Sequence, residues 1–83
     1  MNIDKTRLGV SLITFDRFED MRGTFTKTFH AGVFTLNGLR HDFMECFHSV
    51  SAKNVIRGMH FQTPPHQVAK LIYVMSGKAL DVV

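Results

Sequence analysis

The sequence predicts an all-β chain of the antiparallel sandwich or barrel class, and three observations carry that prediction. Short runs of β-branched and aromatic residues recur along the chain, parted by glycine, proline or charged segments of turn type. The segment Thr24 to Phe29 alternates Thr24, Thr26 and Thr28 with Phe25, Lys27 and Phe29, the period of two of an extended strand. Farther along, Ser76-Gly77 joins two apolar runs as a tight hairpin junction in which glycine supplies the positive φ angle.

Taken in order, Gly9 to Phe15 (Gly-Val-Ser-Leu-Ile-Thr-Phe) is rich in β-branched residues and reads as a strand. Asp16 to Gly23 is charged and closes on glycine, as the turn after that strand would. Thr24 to Phe29 is the next strand, with two aromatic rings on one face and Lys27 between them. His30 to Arg40 places Val33, Phe34 and Leu36 ahead of Asn37-Gly38, which suits one or two helical turns or an irregular loop closed by glycine. Phe43 to Val50 and Asn54 to Gln62 read as strands, and Thr63-Pro64-Pro65 interrupts pairing because proline has no N–H to donate to a ladder. Val68 to Met75 and Lys78 to Val83 are the two strands flanking Ser76-Gly77.

At 83 residues, one domain spanning 1–83 is the ceiling. A chain so short buries only about 60 to 65% of its unfolded surface. Its 45% hydrophobic content and eight Phe argue for packing rather than disorder. The final run Leu80-Asp81-Val82-Val83 is apolar and carries no turn or polar tail, so the chain is expected to be a fragment or truncated product. Free edges and a small core lead to the expectation of a homodimer. Ten Lys plus Arg against seven Asp plus Glu give a net charge of +3, scattered without runs. That pattern fits an anionic small molecule and not nucleic acid. Cys46 is the single cysteine, so no intrachain disulfide forms, and the absence of a signal peptide or an apolar run of about 18 residues sets the expectation of a cytoplasmic chain without a membrane partner.

The stretch Ile56 to Gly77 gathers Arg57, His60, Gln62, His66 and Lys70 among apolar residues. Imidazole exchanges protons near neutral pH, which makes His60 the candidate general base, against the alternative of a structural strand histidine. Arg57 lies three residues from His60, so regular alternation sends the two to opposite faces unless Gly58 hosts a bulge. Lys70 either snorkels to solvent or faces a polar cavity on the side of Ile72 and Val74, where its ammonium would stabilise an enolate oxygen. Guanidinium offers a planar fork of donors matched to phosphate oxygens, so Arg57 and Arg22 are candidates for diphosphate, with surface ion pairing the alternative for Arg22. The segment reads His60-x-Gln62 and holds no Asp or Glu between His60 and Gly77, and the chain has no Cys-x-x-Cys or His-Glu-x-x-His spacing, so no metal site is expected.

Arg57-Gly58-Met59-His60-Phe61-Gln62, then Pro64-Pro65, then Lys70-Leu71 before Gly77, resembles the signature of the dTDP-4-dehydrorhamnose 3,5-epimerases, cupin-fold enzymes of deoxysugar biosynthesis. Asp20-Met21-Arg22-Gly23-Thr24-Phe25 looks like that family's Asp-x-Arg-Gly-x-Phe motif, and the likeness continues through His48-Ser49-Val50-Ser51. The resemblance implies the N-terminal portion of a cupin jelly roll and a cofactor-independent epimerisation at the carbons flanking the C4 ketone of a nucleotide-diphosphate sugar. It implies that His60 removes the proton, Lys70 holds the enolate, Arg22 and Arg57 contact the phosphates, and Phe25 lines the nucleotide site. Lys27, Glu45 and Phe47 stand where the family has Glu, Gln and Asn, which alters the donors and charge available to a base. The family's tyrosine acid and base-orienting aspartate correspond to sequence past Val83, and Tyr73 is not that tyrosine. On its own the chain is therefore expected to be inactive. The alternative is a non-catalytic remnant that binds a nucleotide sugar or associates through its sheet edges.

Overall fold

The computed structural model describes all residues from Met1 to Val83. Four strands and one helix form: β1 (Asn2–Lys5), β2 (Ser11–Thr14), β3 (Arg17–Asp20), β4 (Gly23–Thr26) and α1 (Ala31–Leu36). The strands make two separate antiparallel pairs, β1 with β2 and β3 with β4, so what regular structure there is consists mainly of strands with little helix. No helix is long and apolar enough to cross a membrane.

In the first pair Ile3 faces Ile13, both half-buried, while Asp4 faces Leu12. The connecting loop closes through the Thr6 amide and hydroxyl, which both donate to the Val10 carbonyl at 2.9 and 2.8 Å. Gly9 sits there at φ 76, a conformation that a Cβ disfavours. β2 matches the strand expected over Gly9 to Phe15, whereas β1 has no counterpart in the sequence reading.

The second pair corrects the reading of Asp16 to Gly23 as a turn. Arg17–Asp20 is a strand, with Phe18 opposite Phe25 and Asp20 opposite Gly23. Only Met21 and Arg22 lie between the paired ends, and Gly23 at φ 122 supplies the backbone freedom such a tight hairpin requires. β4 also stops at Thr26, short of the expected Phe29. Phe29 turns to the helix, meeting Phe34 edge to face with ring centroids 5.0 Å apart.

The helix α1 falls inside the segment read as one or two helical turns or an irregular loop, and both its ends are specified locally. His30 is extended at the N-cap and its Nδ1 accepts from the Val33 amide at 3.2 Å. Phe29 and Phe34 stand one before the cap and four after it, the spacing of a hydrophobic staple. At the other end the Gly38 amide donates to the Thr35 carbonyl at 3.1 Å and the Leu39 amide to the Phe34 carbonyl at 2.9 Å. With Gly38 at φ 67, these bonds form a Schellman closure. Phe34 is the buried core side chain, 2% exposed.

The chain divides into two compact units, Met1–Asp42 and Phe43–Val82. The second unit carries turns but no ladder. The strands expected over Phe43 to Val50, Asn54 to Gln62, Val68 to Met75 and Lys78 to Val83 are therefore not formed. Gly58 adopts φ 145, yet without a ladder there is no bulge for it to host. Period-two patterning reports which face a residue would occupy, but a strand exists only once its N–H and C=O groups have partners. The Pro64-Pro65 interruption does form a turn, with the His66 amide donating to the Thr63 carbonyl at 2.9 Å. Gly77 has the positive φ, 88°, expected at its junction.

Candidate active site

The expected site residues fall in both units. Arg22 and Phe25 belong to the β3–β4 hairpin of the first; Arg57, His60 and Lys70 belong to the second.

Arg22 occupies the hairpin turn, where the short connection brings it back over Asp20. Its Nη2 donates to Asp20 Oδ2 at 2.5 Å, its Nε reaches both carboxylate oxygens at 3.1 and 3.2 Å, and its own amide donates to Oδ1 at 2.8 Å. The carboxyl of Asp20 is held below its ordinary value, chiefly by the Arg22 side-chain hydrogen bond and then by the Arg22 amide. The same bond raises the guanidinium. Ion pairing, one of the two alternatives for Arg22, is thus present in this structure.

Phe25 and Phe18 face each other across the ribbon and remain largely exposed. They border two shallow grooves. One, of about 490 Å³, is lined by Phe18, Glu19, Asp20, Arg22, Thr24 and Phe25, and so joins Arg22 to Phe25. The other, of about 310 Å³, adds Asp16, Lys27, His30 and Val33 to the two rings. There the Met1 α-amine pairs with the Asp16 carboxylate. Lys27 and His30 as groove residues were not foreseen as a pair. Both lie in the four-residue connection between β4 and α1, which begins and ends on them.

In the second unit Lys70 Nζ approaches the backbone carbonyl of His60 at 3.5 Å, so the ammonium and the histidine are neighbours through the main chain. Arg57 Nε donates to Ser51 Oγ at 2.9 Å, a partner that sequence reasoning missed. Arg57, His60 and Lys70 are all exposed. Chemically, the segment offers an imidazole, an ammonium at the main-chain carbonyl of the same histidine and a guanidinium with most of its donors still available.

The family model for dTDP-4-dehydrorhamnose 3,5-epimerase matches residues 5–83. The chain is 39% identical over 79 residues to a dTDP-4-dehydrorhamnose 3,5-epimerase of Methanothermobacter thermautotrophicus, covering 94% of this chain and 42% of the relative. It is 37% identical over 84 residues to the Shigella flexneri protein of that name, covering 99% and 46% respectively. With the Neisseria gonorrhoeae protein the identity is 40% over 80 residues, covering 96% and 24%. The chain thus spans less than half the length of these curated relatives. No solved structure matches it. With the family model matching nearly the whole chain, and the Arg-Gly-Met-His-Phe-Gln and Asp-Met-Arg-Gly-Thr-Phe motifs both inside the matched region, this chain belongs to the dTDP-4-dehydrorhamnose 3,5-epimerase family.

Proposed function

We propose that the chain carries the proton-abstracting part of a 3,5-epimerase site for a nucleotide-linked 4-keto-6-deoxy sugar, built on the N-terminal portion of a cupin jelly roll. His60 takes the proton from the carbon next to the C4 ketone, and the electron pair moves onto the carbonyl oxygen. Lys70 stabilises the enolate so formed, since a cation placed where charge develops lowers the barrier most. Arg57 and Arg22 bind the diphosphate, and Phe25 stacks on the nucleotide. The reaction is a proton exchange without net oxidation, so it needs neither a metal nor a redox cofactor. The protein works as a homodimer in the cytoplasm, with residues 1–83 forming the N-terminal part of a single cupin-like domain. The single observation behind this reading is the family match across residues 5–83, which includes both motifs.

The test is solvent deuterium incorporation at C3 and C5 of dTDP-4-dehydro-6-deoxyglucose, followed by NMR. Incorporation that falls to the uncatalysed level in His60→Ala, and is lowered by about 10²-fold in Lys70→Met, is the expected result. Measurable exchange in the parent that His60→Ala leaves unchanged would reject the assignment.

A second reading, a remnant without catalysis that binds a nucleotide sugar or associates through its sheet edges, is favoured by the unpaired outer edges of the two two-stranded sheets. Saturable heat on calorimetric titration with dTDP, together with no deuterium exchange, would select it.

A further inference from the structure

The unit Phe43–Val82 carries strand patterning without a ladder. Its turns close locally, the Val55 amide donating to the Ala52 carbonyl at 3.4 Å and the His66 amide to the Thr63 carbonyl at 2.9 Å. Around those turns run Phe43 to Val50, Asn54 to Gln62 and Val68 to Met75, with largely exposed side chains. Met44 and Ile56 are both more than 90% exposed. Extended main chain that bears apolar side chains and belongs to no ladder is what an added strand pairs with, since main-chain bonds supply the affinity and alternate side chains the fit.

Two quantities identify the occupant. The chain exposes 8216 Å² at 9.5 kDa, about 3,000 Å² more than a folded monomer of that mass. One partner's share of a large obligate interface is about 2,500 Å², so a second copy leaves part of the surplus bare. In the Methanothermobacter thermautotrophicus and Shigella flexneri relatives, more than half of the length lies outside the matched region. That portion of the family sequence is long enough to supply the remaining cover.

We propose that Phe43–Val82 is a docking face for the portion of the family sequence that the match leaves out, and that it accepts this portion in trans, as a separate polypeptide. The partner adds β-strands to the three extended segments and buries Met44 and Ile56. A second copy of the chain occupies the same face only until the complement does. The inference rests on family membership and on the surface, and not on the chemistry proposed for His60 and Lys70.

The test mixes the whole chain, labelled with ¹⁵N, with a polypeptide made from the part of the Shigella flexneri relative outside the match. The two are refolded together from urea, so the partner need not be soluble alone. An equimolar complex is expected in sedimentation equilibrium, replacing any homo-oligomer. Amides in Phe43 to Val50, Asn54 to Gln62 and Val68 to Met75 should gain about 100-fold in exchange protection as ladders form. Met44→Asp and Ile56→Asp alter side chains that are exposed in the chain by itself, and each should weaken the complex about 10-fold or more. No complex, a complex without the gain in protection, affinity unmoved by both variants, or a homo-oligomer that persists in excess partner would each overturn the proposal. Because no catalytic group is altered and the readout is association, these outcomes are independent of the deuterium exchange that tests the epimerase reading.

Discussion

Individual side chains are where the sequence spoke most directly and where its silence was also most specific. His60, Lys70, Arg57, Arg22 and Phe25 are singled out by chemical type and motif spacing; the structure places Lys70 Nζ at the main-chain carbonyl of His60 and Arg22 in the groove of Phe25. What motif spacing could not supply is the acceptor each cation takes locally: Asp20 for Arg22, Ser51 for Arg57. Those contacts depend on turn geometry rather than residue type. The same holds for Arg40 and Asp42, whose forked contact (Nη2 to Oδ2, 2.5 Å; Nε to Oδ1, 2.9 Å) pulls the Asp42 carboxyl from 3.8 down to about 2. The Arg40 side-chain hydrogen bond is the main cause, with a backbone hydrogen bond second. A depressed carboxyl favours the folded arrangement above its ordinary range, and that preference fades as the pH drops from about 4 through about 2. An NMR titration of Asp42 should therefore show a midpoint near 2, and Arg40→Gln should return it toward 3.8. A midpoint unmoved by the substitution would show that the guanidinium is not responsible. Both side chains are exposed, so salt should weaken the shift.

At the scale of elements, the parts that carry local stop signals were legible and the parts that depend on a remote partner were not. Asn37-Gly38 marked the end of α1 because a left-handed residue is needed there, and Gly38 sits at φ 67. Strand β3 was hidden because Arg17, Glu19 and Asp20 look like turn residues; the β3–β4 ribbon is exposed on both faces, so no apolar alternation records it. Its existence follows from cross-strand hydrogen bonding with β4. Gly38→Ala forces a Cβ into the left-handed region at a cost of about 1 to 2 kcal/mol. Nothing lies within 4 Å of the added atom, so the effect is conformational and not steric crowding. Denaturant unfolding of the parent and variant should show a loss of that size, with the Leu39 amide losing its exchange protection. A neutral substitution would contradict the Schellman closure.

For the molecule as a whole, surface area decides the outcome. The chain exposes 8216 Å² at a mass of 9.5 kDa. A folded monomer of that mass is expected to expose about 5,000 Å². The surplus of about 3,000 Å² per chain exceeds the roughly 1,000–2,500 Å² that each partner of an obligate interface removes from water. Met44, Ile56, Phe47 and Leu80 are all more than 85% exposed, and Phe34 is the buried apolar residue. The sequence announced this apolar content but not its placement, because pattern alone does not say whether the second β-strand of a pair is at hand. The expected outcome is self-association that rises with concentration in sedimentation equilibrium, accompanied by binding of a hydrophobic dye that declines as association proceeds. A chain that stays monomeric from micromolar to millimolar without binding the dye would refute this, and the proposed homodimer with it.

The stapled helix between Phe29 and Leu39 draws its cap, aromatic clasp and glycine closure from one short stretch of chain. Low contact order makes such a segment quick to form, on the microsecond scale of helix–coil relaxation. Its contacts are local, which favours its early formation on folding, while its persistence depends on the rest of the first unit because a helix of six residues is marginal by itself.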